Sequence, residues 1–589
     1  MKKFLSFSLI LFLVLGLSIS AGAQELEKKI LDDMYFDEIG EYGGTFTLST
    51  TSAPESFNPY GSLDAATYTV ALKFLDALVE QNQITKELSP GLASDWEVSD
   101  DGKEVIFHLR EGVQWSDGHY FDAEDVIFTF ENFIYNKNAE RNLSSRYKIG
   151  PDNERIEFKK VDKYTLKAEL PVPYGAFTRV LAQALIVPEH KLEKYVDSDN
   201  PGKINEAWTT DTDLEEIVGT GPVILSEYQT DQKIVLKRNP HSWRYDPEGN
   251  QLPYVDNLEY LIVKDFEVEK AKFRSGELDA IYSISGQDYP SLKQLEVDNS
   301  DFKVLAGEPI NPTPSPVHLS FNFDTDNEEL KEVFRNIKFR EAMAYIVNRE
   351  KIIEDVFNTL AIKPGTPVLP AHKEWYNPKI EELRRGYDLD KARELLNDIG
   401  ITDSDGDGVR EFENGDDFEF VLTLPSTSSY QDSASVIIDA AEEVGIKITR
   451  NVLNHNLALD KGLNNDFEAL MMAFGNQPDP QLRKEVWQPG QELYYFHSSI
   501  TDEDRNINES EMYDWEQEVY NIFEKGQTSM DNEVRKGYYD RWQEIFSEKL
   551  PVIFLYKEKD VKGFSNDFSN YFLNEDGVIV GSYLTIFKK

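Results

Sequence analysis

The sequence predicts an α/β protein divided near its middle. Two observations carry this expectation. In the C-terminal half, DKARELLNDIG, FEFVLTL, SVIIDAAEEVG and IKITRNV read as helix, strand, helix and strand. That alternation is the order of an α/β layer. Between the halves, GEPINPTPSPVHLSFNF brings Pro309, Pro312, Pro314 and Pro316 close together. Such a run cannot be helical. It reads either as a stiff extended connector or as a surface loop.

The elements follow in chain order. The opening MKKFLSFSLILFLVLGLSISAGAQ has Lys2 and Lys3, an apolar run from Phe4 to Ile19, and Ala21-Gly22-Ala23. This is the grammar of an export leader, with cleavage expected after Ala23 and residues 1–23 lost. The run is short for a membrane span of about 20 residues. The 589 residues contain no cysteine. The mature chain therefore has no disulfide and no thioether-linked lipid, and a soluble periplasmic or secreted protein is expected. Trp96 to Val98, Asp100-Asp101-Gly102 and EVIFHL read as a β-hairpin, with Val105, Phe107 and Leu109 on one face. Asp122-Ala-Glu-Asp opens a helix carrying Val126, Ile127, Phe130 and Phe133. NIKFREAMAYIVNREKI reads as one helix with Phe339, Met343, Ile346 and Val347 on its stripe. DKARELLNDIG is closed by Gly400. There is no repeat of fixed period.

Charge and motifs exclude several functions. Lys and Arg number 61 against 107 Asp and Glu, a net charge of −46. Such a surface repels phosphates, so nucleic acid is not an expected partner. The excess is either ordinary self-repulsion or adaptation to a salty exterior. There is no HExxH, no G-x-S-x-G and no phosphate-binding loop; Gly202-Lys203 lacks the partner glycine, and GTGPVI at Gly219 lacks a third glycine. Cysteine nucleophiles are impossible. Paired carboxylates must occur by chance among so many acids, which leaves glycoside hydrolysis open as the enzyme alternative.

The stretch DSDGDGVREFEN follows the spacing of a calcium loop. Its ligands would be Asp403, Asp405, Asp407, the carbonyl of Val409, and Glu411, with Gly408 at the turn. The twelfth position is Asn414, which cannot supply a bidentate carboxylate. A helix (390–399) precedes the loop and a strand (418–424) follows it, so no helix pair exists to open as in a sensor. Two readings stay open: a structural Ca²⁺ clip, or a bare Asp/Gly turn. No cofactor is required.

Residues 88–126, LSPGLASDWEVSDDGKEVIFHLREGVQWSDGHYFDAEDV, carry a resemblance. With GTGP (219–222), LKRNPHSW (236–243), LSFNF (319–323), FREAMAYIVNREKI (339–352) and YDLDKARELLNDIG (387–400), the chain resembles the family 5 extracellular solute-binding proteins. These are the capturing subunits of ABC importers. The resemblance implies two α/β lobes closing on a ligand, with an extra subdomain in the first lobe. It places lobe I at 24–78, 205–306 and 557–589, the subdomain at 79–204 and lobe II at 317–549. The hinge crossings fall at 307–316 and 550–556. It implies a monomer partnered by membrane permease subunits. Trp96, Trp115 and Trp243 are expected as core anchors.

Two segments face the ligand in peptide-binding members. One corresponds to Thr51, Ser52 and Ala53, able to pair main chain with an extended ligand. The other resembles W-x-A-D-Y-x-D-P, whose first Asp receives a peptide ammonium. Here it reads MMAFGNQPDP, with Asn476 at the Asp position and Gln477 at the Tyr position. Asn offers a carbonyl without charge. Peptide is the first ligand reading. An oligosaccharide, contacting Asn476, Gln477, Phe474 and Trp487, is the second.

Overall fold

A computed structural model describes residues 25–150, 153–282, 284–298, 301–502 and 506–589. The expected leader lies outside them. No described helix is long and apolar enough to cross a membrane.

Two large apolar cores divide the chain. One gathers residues from Phe46 to Leu258 with Ala280 and the tail from Phe564 to Ile586. The other runs from Val317 to Tyr556. The fold is thus α/β and two-lobed. The segment 79–204 carries its own four-stranded sheet, yet Val105, Trp115 and Phe177 belong to the same cluster as Phe46 and Leu236. It shares the core of its lobe.

Local sequence explains the first lobe's elements. Strands Ala93–Val98 and Glu104–Leu109 pair antiparallel, with Gly102 at φ 69° in the turn. Val105, Phe107 and Leu109 are buried. Asp122 caps the helix Ala123–Thr129, and Asp125 completes the capping box. Trp115 and Trp243 are fully buried and donate to Asp125 and Asp76 at 3.2 Å each. Trp96 is only half-buried. A second sheet orders Val223–Gln229, Lys233–Arg238, Asn257–Ile262 and Thr45–Thr50, the last two parallel.

The second lobe is built on six strands. Their order is Ala361–Ile362, Val552–Glu558, Val317–Phe321, Ala469–Met472, Glu419–Pro425 and Lys447–Leu453. Glu419–Pro425 lies parallel to both of its neighbours. Helices Leu389–Asp398 and Ser428–Glu442 alternate with these strands in the chain. Phe321 meets Phe334 and Phe339 at 5.0 and 4.9 Å between ring centres. Each such buried ring is worth about 1.5–3 kcal/mol.

Two expectations are corrected. The helix expected from 336 stops at Ile346, because Asn348 caps a new turn and Arg349 turns inward to donate to the Phe554 carbonyl at 2.8 Å. The return crossing does not fall at 550–556. Those residues enter strand Val552–Glu558, inside the second lobe's sheet. Strand Asp560–Ser565 already pairs with Ala280–Ile281 and Phe302–Gly307 in the first lobe. The chain therefore returns at Lys559. The first crossing spans 308–316, between Phe302–Gly307 and Val317–Phe321.

Candidate functional site

Ligands of α/β sheets bind beyond the carboxyl ends of parallel strands. Both segments singled out in the sequence leave such ends. Thr51, Ser52 and Ala53 follow Thr45–Thr50, the edge strand of its sheet. Thr51 and Ser52 are exposed and Ala53 is half-buried. Lower on this edge, Asp279 accepts from the Thr47 amide at 2.8 Å and returns its own amide to the Thr47 carbonyl at 2.8 Å. Among the described residues, no backbone partner occupies 51–53. The edge is open there.

Phe474, Asn476 and Gln477 follow Ala469–Met472, and this end is held by the first crossing. The Ser315 amide donates to the Phe474 carbonyl at 2.7 Å, and the Phe474 amide donates to Ser315 Oγ at 3.1 Å. Thr313 Oγ1 gives its proton to the Asn476 carbonyl at 2.6 Å and accepts from the Asn476 amide at 3.1 Å. Asn476 is buried, and its Nδ2 donates to the Pro367 carbonyl at 2.8 Å. Its Oδ1 has no partner among the described residues. Gly475 is exposed and Gln477 half-buried.

Two residues do not serve as expected. The Phe474 ring turns into the core, 5.8 Å from His318 and 4.8 Å from Tyr495. Trp487 is fully buried among His318, Trp542, Phe546 and Phe554. Neither presents a face to a ligand. In an extended run alternate side chains point oppositely, and here Phe474 has the inward position.

Sequence reasoning missed the groups beside the return crossing. Lys562 Nζ sits 5.4 Å from the centre of the Tyr282 ring. Tyr282 keeps 38% of its surface exposed, yet the surrounding protein desolvates its hydroxyl and pushes its pKa up to about 12. Burial pushes Lys86 down to about 8, with the positive charge of Lys562 adding to the effect. Burial also lowers Lys562 and raises Glu558. Neither Lys86 nor Lys562 has a salt-bridge partner among the described residues. Placing the crossing at Lys559 would have pointed to 558–562.

The acidic loop has the geometry of a cation site. Asp403, Asp405 and Asp407 are exposed and Glu411 buried, and one carboxylate oxygen from each lies within 4.8 Å of the others. Oxygens on opposite sides of a calcium ion stand about 4.8 Å apart. The donor set therefore fits Ca²⁺. Asp407 Oδ1 accepts from the Val409 amide at 2.8 Å, and Glu411 Oε2 accepts from Ser404. Asn414 turns away to Asp416. The loop lies before the amino end of Glu419–Pro425, whereas 474–477 leaves the carboxyl end of the neighbouring parallel strand.

Residues 87–484 match the family described as bacterial extracellular solute-binding proteins, family 5 Middle. A probable ABC transporter-binding protein of Deinococcus radiodurans is 27% identical, over 87% of this chain and 86% of the relative. A periplasmic alpha-galactoside-binding protein of Rhizobium meliloti is 28% identical, over 71% and 63%. A dipeptide-binding protein of Escherichia coli is 29% identical, over 61% and 63%. The solved oligopeptide-binding protein OppA shares the fold, with a TM-score of 0.74 over 91% of this chain and 88% of that one, at 24% identity. The chain belongs to the family 5 bacterial extracellular solute-binding proteins.

Proposed function

We propose that the chain captures a peptide between its lobes and delivers it to the membrane permease of an ABC importer. The observation that carries this reading is the open backbone edge at Thr51–Ala53. An extended peptide adds to such an edge through its own amides and carbonyls, whatever its side chains. The named peptide-binding relatives support it. Export with cleavage after Ala23 and action as a monomer belong to the same reading.

Ligand bridging both lobes favours the closed arrangement. Mass spectrometry of solute retained by the purified protein should find peptides, unaltered after incubation. A neutral glycan with no peptide overturns the reading. A hydrolysed product overturns the non-enzymatic role.

Asn476 favours a second reading, an oligosaccharide. Its free Oδ1 accepts a hydroxyl proton as readily as an ammonium proton, without the charge that makes an ammonium contact strong. Asn476→Asp should strengthen peptides with free amino termini in titration calorimetry. No change for any peptide removes Asn476 from the site. We propose also that the acidic loop holds a structural Ca²⁺ outside the capture step.

A further inference from the structure

One charged cluster crosses between the lobes. Arg179, on the helix Phe177–Leu181 of the first lobe, is buried with its neighbours Phe177 and Val180 in that lobe's core. Its guanidinium reaches into the second lobe, where it pairs with Glu374 and stands 3.2 Å from Asp479. Asp479 lies three residues after Asn476. Arg535, also in the second lobe, grips both oxygens of Asp479 at 2.8 Å. The Trp375 ring is flanked by the Arg179 and Arg535 guanidiniums at 5.3 and 4.9 Å. Beside this cluster, the Gly175 amide donates across the lobes to the Gln527 carbonyl at 2.7 Å.

The charges divide in an informative way. If the lobes part, Asp479 keeps Arg535, and Glu374 keeps the Asn532 amide group at 3.3 Å. Arg179 keeps the Lys86 carbonyl of its own lobe at 3.4 Å. Each carboxylate keeps a partner of its own lobe, and the Arg179 guanidinium, which projects from its lobe, is left to water. The second lobe then carries one net negative charge at this point and the first lobe one positive charge. Closure joins them where water is excluded and the attraction is strong. A contact that each side can leave without an unpaired buried ion is reversible.

Space is also reserved for it. A Cβ on Gly175 would stand 2.0 Å from the Ser529 carbonyl oxygen and 2.8 Å from Arg535 Cδ, both in the second lobe. Its nearest obstacles are all across the gap. Gly102 meets Met530 in the same region.

We propose that Arg179 is a positioning residue for capture: through Asp479 and Glu374 it latches the lobes shut beside the segment carrying Asn476. It touches no ligand. It raises the closed population, and so slows escape of whatever solute the cleft holds. The inference rests on the capture cycle only in needing lobes that part.

The test uses the full mature chain with no ligand added, so its failure leaves the peptide reading standing. Hydrogen exchange is followed at 173–181 and 527–535, where Gly175 reports the gap directly. Two variants separate charge from shape. Arg179→Met removes the pairing, and Gly175→Ala wedges the surfaces apart while leaving every charge in place. Both should speed exchange at 173–181 by roughly tenfold or more and enlarge the radius of gyration in small-angle scattering. Arg179→Lys should recover part of the protection. Exchange in strands Glu104–Leu109 and Glu419–Pro425 should stay unchanged. Unaltered exchange at 173–181 in both variants overturns the latch. Loss of protection spreading into Glu104–Leu109 also overturns it, because Arg179 would then serve the folding of its own lobe.

Discussion

Thr51–Ala53 and Phe474–Gln477 both leave the carboxyl end of a strand in a parallel pair, and they are built in opposite ways. The first is exposed at Thr51 and Ser52 and half-buried at Ala53, with no backbone–backbone hydrogen bond among the described residues. The second is held at four backbone positions by Thr313 and Ser315 of the first crossing. A free edge can meet a ligand without asking anything of the fold. A segment bound to the hinge cannot move without moving the hinge. On the proposed reading the difference divides recognition from motion: one lobe would offer pairing, and the other would couple occupancy to closure. Changes at 474–479 should therefore cost stability, and changes at 51–53 should cost affinity alone.

The largest expected effect tests the second segment. Asp479→Ala leaves Arg535 buried without its carboxylate. Breaking a buried pair from one side costs about 3–5 kcal/mol. Urea unfolding should show that loss in the second lobe's transition. Ser52→Ala should stay within about 0.5 kcal/mol of the parent. Equal costs at the two positions would end the comparison.

Acid should act on the same side. His318 is fully buried, donates through Nδ1 to the Pro316 carbonyl at 3.0 Å, and accepts the Tyr495 hydroxyl proton at Nε2. Burial holds its pKa down to about 4, against an unfolded value of 6.5. Between these values the unfolded chain binds more protons than the folded one. Its contribution is therefore present above pH 6.5 and lost as pH falls from 6.5 to about 4. The loss is about 2–3 kcal/mol. His372, bonded to the Ile310 carbonyl and held down to about 4 by burial, adds in the same direction. The midpoint of the second lobe's unfolding transition should fall from pH 7 to 4, and His318→Gln should lessen the slope. A pH-independent midpoint would show that the hinge-bound side is not acid-sensitive.

How much of this was legible is uneven, and the reason is physical. The hairpin around Gly102, the cap at Asp122 and the strand Glu419–Pro425 follow from local patterns, because neighbouring residues decide them. The return crossing does not. LPVIFLY reads as a buried strand in either lobe, and a one-residue crossing at Lys559 leaves no compositional trace. With the crossing misplaced, Lys86, Lys562 and Tyr282 had no reason to stand out. Phe474 and Trp487 were aromatic and near the motif, but sequence does not say which side of an extended run faces the core. Arg179 meets Asp479 only through the fold.

A smaller effect sharpens the open edge. Ser52→Pro removes one amide where the backbone is free. If a ligand uses it, one net hydrogen bond is lost, worth about 0.5–1.5 kcal/mol. Calorimetry should show affinity roughly two- to tenfold weaker, with the unfolding midpoint unchanged. Unchanged affinity would shift the pairing surface away from 51–53.

An effect of similar size comes from a place that touches neither segment. The acidic loop sits at the amino end of Glu419–Pro425, while 474–477 leaves the carboxyl end of the neighbouring strand. A calcium ion there would join Asp403, Asp405, Asp407 and Glu411, relieve repulsion among clustered carboxylates, and clip the helix Leu389–Asp398 to the sheet. It would bind the folded loop and not the unfolded chain. At tenfold excess over the dissociation constant this adds about 1.4 kcal/mol, a rise of about 3–6 °C for a lobe of this size. Ligand affinity should not change, because stiffening that end alters neither the open edge nor the hinge bonds. Asp405→Ala should abolish the rise without lowering the calcium-free midpoint by more than about 0.5 kcal/mol, as expected for an exposed side chain. A melt indifferent to both calcium and chelator would make the loop a bare turn. A calcium-dependent change in ligand affinity would instead join the two ends of the sheet, and the division between a pairing lobe and a coupling lobe would have to be redrawn.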